Sequence, residues 1–170
     1  SQALQQLLFQ SEWDNIDYLF IDLPPGTGDI QLTLSQKIPV TGSVVVTTPQ
    51  DIALIDARKA VDMFRKVNIP IFGVLENMSV HICSQCGHSE AIFGSGGGQN
   101  LAETLKVPLL GQLPLALPVR EAMDTGSALA LQQNYPQIAE IYQQAALSVA
   151  LAVADKGKDF SGRFPKIVIE

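Results

Sequence analysis

The chain is poor in charge, in aromatic rings and in cysteine, and each scarcity excludes something. Charged residues make up only 16% of its 170 positions against 46% hydrophobic ones, so intrinsic disorder is excluded, and one domain with a sizeable core is expected. Basic residues are the minority, 11 Lys and Arg against 17 Asp and Glu, and no basic stripe interrupts the net charge of −6. Nucleic-acid binding driven by phosphate neutralisation is excluded on that balance. No apolar run approaches the ~20 residues that cross a bilayer, so no membrane partner is expected. The opening Ser1-Gln2-Ala3-Leu4-Gln5-Gln6 has neither a basic start nor a long apolar stretch, so no signal peptide is read there and a cytoplasmic location is expected. Aromatic residues amount to 6%, which predicts an aliphatic core of the kind parallel sheets build. The two cysteines stand three apart. That spacing is poor for a structural disulfide and suitable for a metal or redox pair in a reducing compartment.

Against these absences one stretch stands out. Tyr18-Leu19-Phe20-Ile21-Asp22 is a short apolar run ending in a carboxylate, and Leu23-Pro24-Pro25-Gly26-Thr27-Gly28-Asp29 follows at once. A buried parallel strand delivers an Asp in this way to the carboxyl edge of a sheet, where open α/β folds bind nucleotides. Asp22 suits Mg²⁺ beside phosphates, and the glycines allow backbone to approach a γ-phosphate. The plainer alternative is a buried strand ending in a turn, with Asp22 as a cap.

The rest of the chain alternates. Residues 1–10 read as the end of a helix striped by Leu4, Leu7 and Leu8, and Asp29 as the N-cap of a short helix through Leu32 and Leu34. Residues 42–49 form a β-branched strand, and a helix to about Lys66 turns Leu54, Ala57, Val61 and Phe64 inward. Residues 70–77 and 107–114 are two further strands, with a helix at 100–106 between them. A short helix at 119–124 and a long one from Tyr135 to about Ala154 follow, then a loose tail from Asp155 with a possible edge strand at 164–170. Strands alternating with helices predict an α/β fold, a parallel sheet with helices on both faces and right-handed crossovers. One domain is expected over residues 1–154, with 155–170 as a tail.

A second constellation is His81-Ile82-Cys83-Ser84-Gln85-Cys86-Gly87-His88. Two thiols at C-x-x-C spacing grip one metal, and Gly87 provides the turn that aims amides at sulfur. Zn²⁺ or a four-iron cluster wants four ligands. Either His81 or His88 completes a zinc knuckle, or a second copy of the chain supplies the other two thiolates across a two-fold axis. Two unreactive thiols are the bland alternative. The run Gly94-Ser95-Gly96-Gly97-Gly98 lacks a following Lys-Ser/Thr, so it is read as a loop entering a helix and not as a phosphate loop. Asn77, after a strand, is a turn former or a contact to an adenine edge. Pro114 is ordinary on its own.

Taken in order, D-L-P-P-G-T-G-D (residues 22–29), V-V-T-T-P-Q-D (45–51), V-L-E-N-M-S (74–79), the C-x-x-C and G-Q-L-P (111–114) resemble the Mrp/ApbC iron–sulfur cluster carriers. These are deviant-Walker P-loop ATPases of the SIMIBI-like class, related to the MinD and nitrogenase iron-protein folds. The resemblance runs from about Ala3 to Ala154. It implies that Asp22 is the Walker B carboxylate for Mg²⁺ and that Gly26, Thr27 and Gly28 sense the γ-phosphate of ATP. It implies that Asn77 and the backbone around Pro114 hold adenine. It further implies that Cys83 and Cys86 bind a [4Fe-4S] cluster shared by a homodimer, for transfer into apo iron–sulfur proteins. MinD/ParA-like positioning is the other ATPase reading, and the thiol pair argues against it. The family's G-K-G-G-V-G-K-S/T loop has no counterpart in this sequence, so the resemblance is to a C-terminal half. The 170 residues alone are expected not to hydrolyse ATP. In folds of this kind the Walker A strand lies between the Walker B strand and the next. Residues 18–22 and 44–48 are therefore expected either to pair directly or to leave a gap that another chain fills.

Overall fold

The computed structural model describes Gln6, residues 10–23 and residues 40–156. Its centre is a parallel sheet of three strands, β1 (Ser43–Thr47), β2 (Ile71–Glu76) and β5 (Leu109–Gln112), in the order β1-β2-β5. Val45 aligns with Val74 and Val74 with Leu109, so the β-branched runs predicted as strands lie side by side. Between β1 and β2 runs α1 (Asp51–Lys66), and before β5 runs α2 (Gly97–Leu105). The helical spacing of Ala57 and Val61 on α1 and of Leu101, Ala102 and Leu105 on α2 carries them onto Val45 and Val74 as one buried cluster.

The other face is covered by α5 (Pro136–Asp155). Successive strand residues point to opposite faces. Leu75 therefore faces away from that cluster, a register shift in the ladder brings Gly111 opposite Leu75, and a Cβ placed on Gly111 would sit 2.9 Å from the Cβ of Ala145. Helices thus lie on both faces of the sheet. Two short helices, α3 (Leu117–Asp124) and α4 (Ala128–Asn134), pack with α5 through Ala122, Leu131 and Ala139. No sequence expectation covered α4, a single short run whose start is marked by the Ser127 hydroxyl accepting from the Ala130 amide at 3.3 Å. A second, small sheet is also additional to the expected strands. It joins β3 (His81–Ile82), β4 (Ser89–Glu90) and β6 (Leu115–Ala116) in the order β4-β3-β6.

One expected element is not formed. Residues 18–23 are not a strand. Phe20 is 77% exposed and Tyr18 54%, their rings stacked with centroids 6.4 Å apart. Leu23 instead packs on Met63, Phe64 and Ile69, where α1 ends and β2 begins. The physical reason is pairing: an apolar run becomes an interior parallel strand only between two ladders, and among the described residues β1 bonds to β2 alone. Direct pairing of residues 18–22 with β1 is therefore not seen. The expected helix at residues 1–10 shows only as Gln6, while the short helix after Asp29 and the tail strand at 164–170 lie outside the described residues.

Candidate nucleotide edge and thiol knuckle

The three parallel strands end together. Beyond them the Asn77 amide donates to Thr47 O at 2.7 Å and the Leu113 amide to Glu76 O at 2.7 Å. The carboxyl edge of the sheet therefore gathers Thr48, Asn77 and the segment from Gln112 to Pro114. Asn77 is half-buried, and its Oδ1 accepts from the Met78 amide at 2.9 Å. Pro114 is buried.

Asp22 is not brought to this edge. It is exposed, next to Leu23 at the opposite, amino end of the sheet. Gly26, Thr27 and Gly28 lie outside the described residues.

Glu76 is a site residue that the sequence reading passed over. It is 1% exposed at the last position of β2. Its Oε1 accepts from Gln112 Nε2 at 2.7 Å and its Oε2 from the Gly98 amide. A Cβ on Gly98 would fall 2.8 Å from Glu76 Oε2, and one on Gly97 would fall 2.5 Å from Pro49 O. The last two glycines of the run, Gly97 and Gly98, therefore open the first turn of α2 pressed against the sheet edge, with the Gly98 amide taken by a protein carboxylate. A glutamate inside an apolar strand was the available signal for this role.

The thiol pair forms a compact knuckle. The Cys83 amide donates to His88 O and the Gly87 amide to Cys83 O, both at 2.9 Å. Gly87 has φ +71, a left-handed conformation that glycine adopts without strain. Cys83 is half-buried, Cys86 is exposed and both are free thiols. The backbone amides of Cys86 and then Gln85 hold the Cys83 thiol below its usual range, with the Cys86 thiol adding to them. Thiolate is the metal-binding form, so this geometry favours metal at Cys83. Neither His81 nor His88 completes a ligand set: among the described residues no group of three or more His, Cys, Asp or Glu could hold a metal ion. The knuckle supplies two sulfur donors, which fits half of a four-thiolate set.

A parallel α/β sheet whose strands end together beside a two-thiol knuckle defines an α/β class of fold with its functional residues at the carboxyl edge. A family model described as the NUBPL iron-transfer P-loop NTPase matches residues 1–150, and the chain belongs to that family. It is 60% identical over 148 residues to an iron–sulfur cluster carrier protein of Pseudomonas fragi, covering 87% of this chain and 52% of that one. It is 49% identical over 147 residues to the mouse iron–sulfur cluster transfer protein NUBPL, covering 86% and 46%. The chain thus spans about half the length of the curated relatives it matches. Among solved structures, a nucleotide-binding protein from Archaeoglobus fulgidus in complex with ADP superposes with a TM-score of 0.60 at 27% identity, covering 97% of this chain and 58% of that one. The Pyrococcus furiosus cell division ATPase MinD gives a TM-score of 0.60 at 20% identity, covering 88% and 56%. The P-loop NTPase fold read from the sequence is therefore the fold of this chain. No helix among the described residues is long and apolar enough to cross a membrane.

Proposed function

We propose that this chain carries an iron–sulfur cluster as cargo and hands it to apo-proteins, within a protein that binds ATP. The observation that carries this reading is the Cys83–Cys86 knuckle: two free thiols, one half-buried and one exposed, without a third donor among the described residues. A second copy of the chain completes the set, so that a homodimer holds one [4Fe-4S] cluster at its seam. Two ligands per subunit at an exposed seam suit release as well as capture. A resident structural site would be closed by four ligands of one chain.

In this reading Asn77 and the backbone at Pro114 hold adenine. Asp22 holds Mg²⁺ once residues 18–22 join the sheet on the far side of a Walker A strand from β1, and Gly26, Thr27 and Gly28 sense the γ-phosphate. Residues 1–154 belong to one P-loop domain, and 155–170 form its tail. The ADP-bound relative and the family's description support the nucleotide assignment.

The test is anaerobic reconstitution with iron and sulfide. The expected product is brown, holds about four iron atoms per two chains, and sediments as a dimer that reverts on chelation. Cys83→Ser and Cys86→Ser each abolish it. A colourless chain holding one Zn²⁺ with a histidine ligand would replace this reading by a structural zinc site.

A further inference from the structure

The excursion that carries the thiols leaves the main sheet after Glu76 and returns to it at Gly98. Both of its ends are tied to one short segment, residues 112–116. On the way out, the Ser79 amide and hydroxyl both donate to Leu113 O, at 3.0 and 3.1 Å, and the Leu115 amide donates to Val80 O at 2.8 Å. β3 then runs parallel to β6, with His81 opposite Leu115 and Ile82 opposite Ala116, and Cys83 is the next residue. On the way back, the Gly98 amide donates to the Glu76 carboxylate that Gln112 also holds. Ser79 and Glu76 are both buried, so these bonds are shielded from competing water.

From this geometry we infer that residues 112–116 are a lever between the base-binding edge and the thiol knuckle, with Ser79 and Glu76 as its positioning residues. The inference rests on the proposed reading of the knuckle as a metal site. Segment 112–116 includes Pro114 and cannot shift without moving the stem of Cys83. Conversely, fixing the two thiols on a metal stiffens the stem and hence the segment. Linkage makes the two effects reciprocal. Whatever binds beside Pro114 thus alters metal affinity at Cys83 and Cys86 by the same factor as metal alters its own affinity. Ser79 and Glu76 are buried and act through their bonds to Leu113, Gln112 and Gly98.

Amide hydrogen exchange on the whole 170-residue chain, with and without saturating Zn²⁺ as the probe, tests this. Zinc is expected to slow exchange at Cys83 and Gly87, and also to slow it about tenfold at Leu113 and Leu115, an ordinary size for coupling between sites. Ser79→Ala is expected to cut the effect at Leu113 and Leu115 to about threefold or less while keeping it at Cys83 and Gly87. Ser79→Thr, which keeps a hydroxyl, restores it. Gln112→Ala, at an exposed position, gives a second variant that leaves the core intact and is expected to weaken the coupling in the same way. Slowing confined to Cys83 and Gly87 in the wild type overturns the lever and leaves the metal site standing. No slowing even at Cys83 and Gly87 removes the metal site and the lever together.

Discussion

The two flanks of the parallel sheet are built from similar sequence and end up in different states. Toward β5 the sheet is finished: α2 covers one face, α5 the other, and Glu76 fastens the strand ends to α2. Toward β1 it is open. Among the described residues β1 and β5 each have a ladder on one side only, but Val46 on β1 is 58% exposed in a run of three valines, whereas Leu110 on β5 is 6% exposed. Beyond it, residues 18–23 carry Tyr18 and Phe20 to the surface. An apolar strand is buried by what pairs with it and what lies on its faces, and composition supplies neither. The finished flank carries the whole thiol stem and the strand ends at Asn77 and Gln112. The open flank carries Asp22.

Substitutions on the two flanks should therefore differ sharply. The largest loss is expected from Leu101→Ala, whose side chain is fully buried under the finished flank. The cavity should cost about 2–5 kcal/mol in chemical denaturation. A loss no greater than that of a surface change would mean that α2 is not seated on the sheet. Glu76→Gln comes next. The new amide keeps both bonds only if Gln112 flips to offer its Oε1 to the added nitrogen, and two charge-assisted bonds become neutral ones, for a loss of about 1–3 kcal/mol. Equal stability in Glu76→Gln would break the claim that this carboxylate fastens the flank.

On the open flank Val46→Lys should change stability by no more than about 0.5 kcal/mol, because the side chain already meets water. Its effect should be on association. An apolar edge strand templates pairing with another chain, and lysine blocks it. Sedimentation of the metal-free chain should show less self-association in Val46→Lys than in the wild type. A wild type that is already a clean monomer at all concentrations would remove the edge as a pairing surface.

The same contrast explains what was legible in the sequence. Strands β1, β2 and β5 and helices α1, α2, α3 and α5 were readable because local period and burial agree there. The thiol knuckle was readable because C-x-x-C-G makes its own turn, through bonds that span only four or five residues. Asn77 and Pro114 became candidates only through the family resemblance, since a strand end alone marks neither. The Tyr18 to Asp22 strand was misread because its burial depends on neighbours far from it in the sequence. Glu76 was missed because its partners, Gly98 and Gln112, lie 22 and 36 residues away. The short strands β3, β4 and β6 carry too few residues for any period to show.

The smallest effect belongs to the knuckle itself and is read as reactivity. Amides of Cys86 and Gln85 stabilise the Cys83 thiolate, so its folded-state pKa lies below that of an unfolded thiol. For a depressed acid the associated stability is present above the unfolded pKa and is lost as pH falls through the folded one. Alkylation by iodoacetamide follows thiolate, so the rate at Cys83 should rise with pH at a midpoint below the ordinary ~8.5. Cys86→Ser isolates the signal of Cys83 and keeps the largest contributor, since that donor is a backbone amide. Denaturant removes the turn and should return the midpoint to the ordinary value. A midpoint that is unchanged by denaturant would mean that the amides do not point at sulfur in solution. The local geometry of the knuckle would then be as dependent on outside contacts as the open flank, and the contrast between the two would fail where it is drawn most sharply.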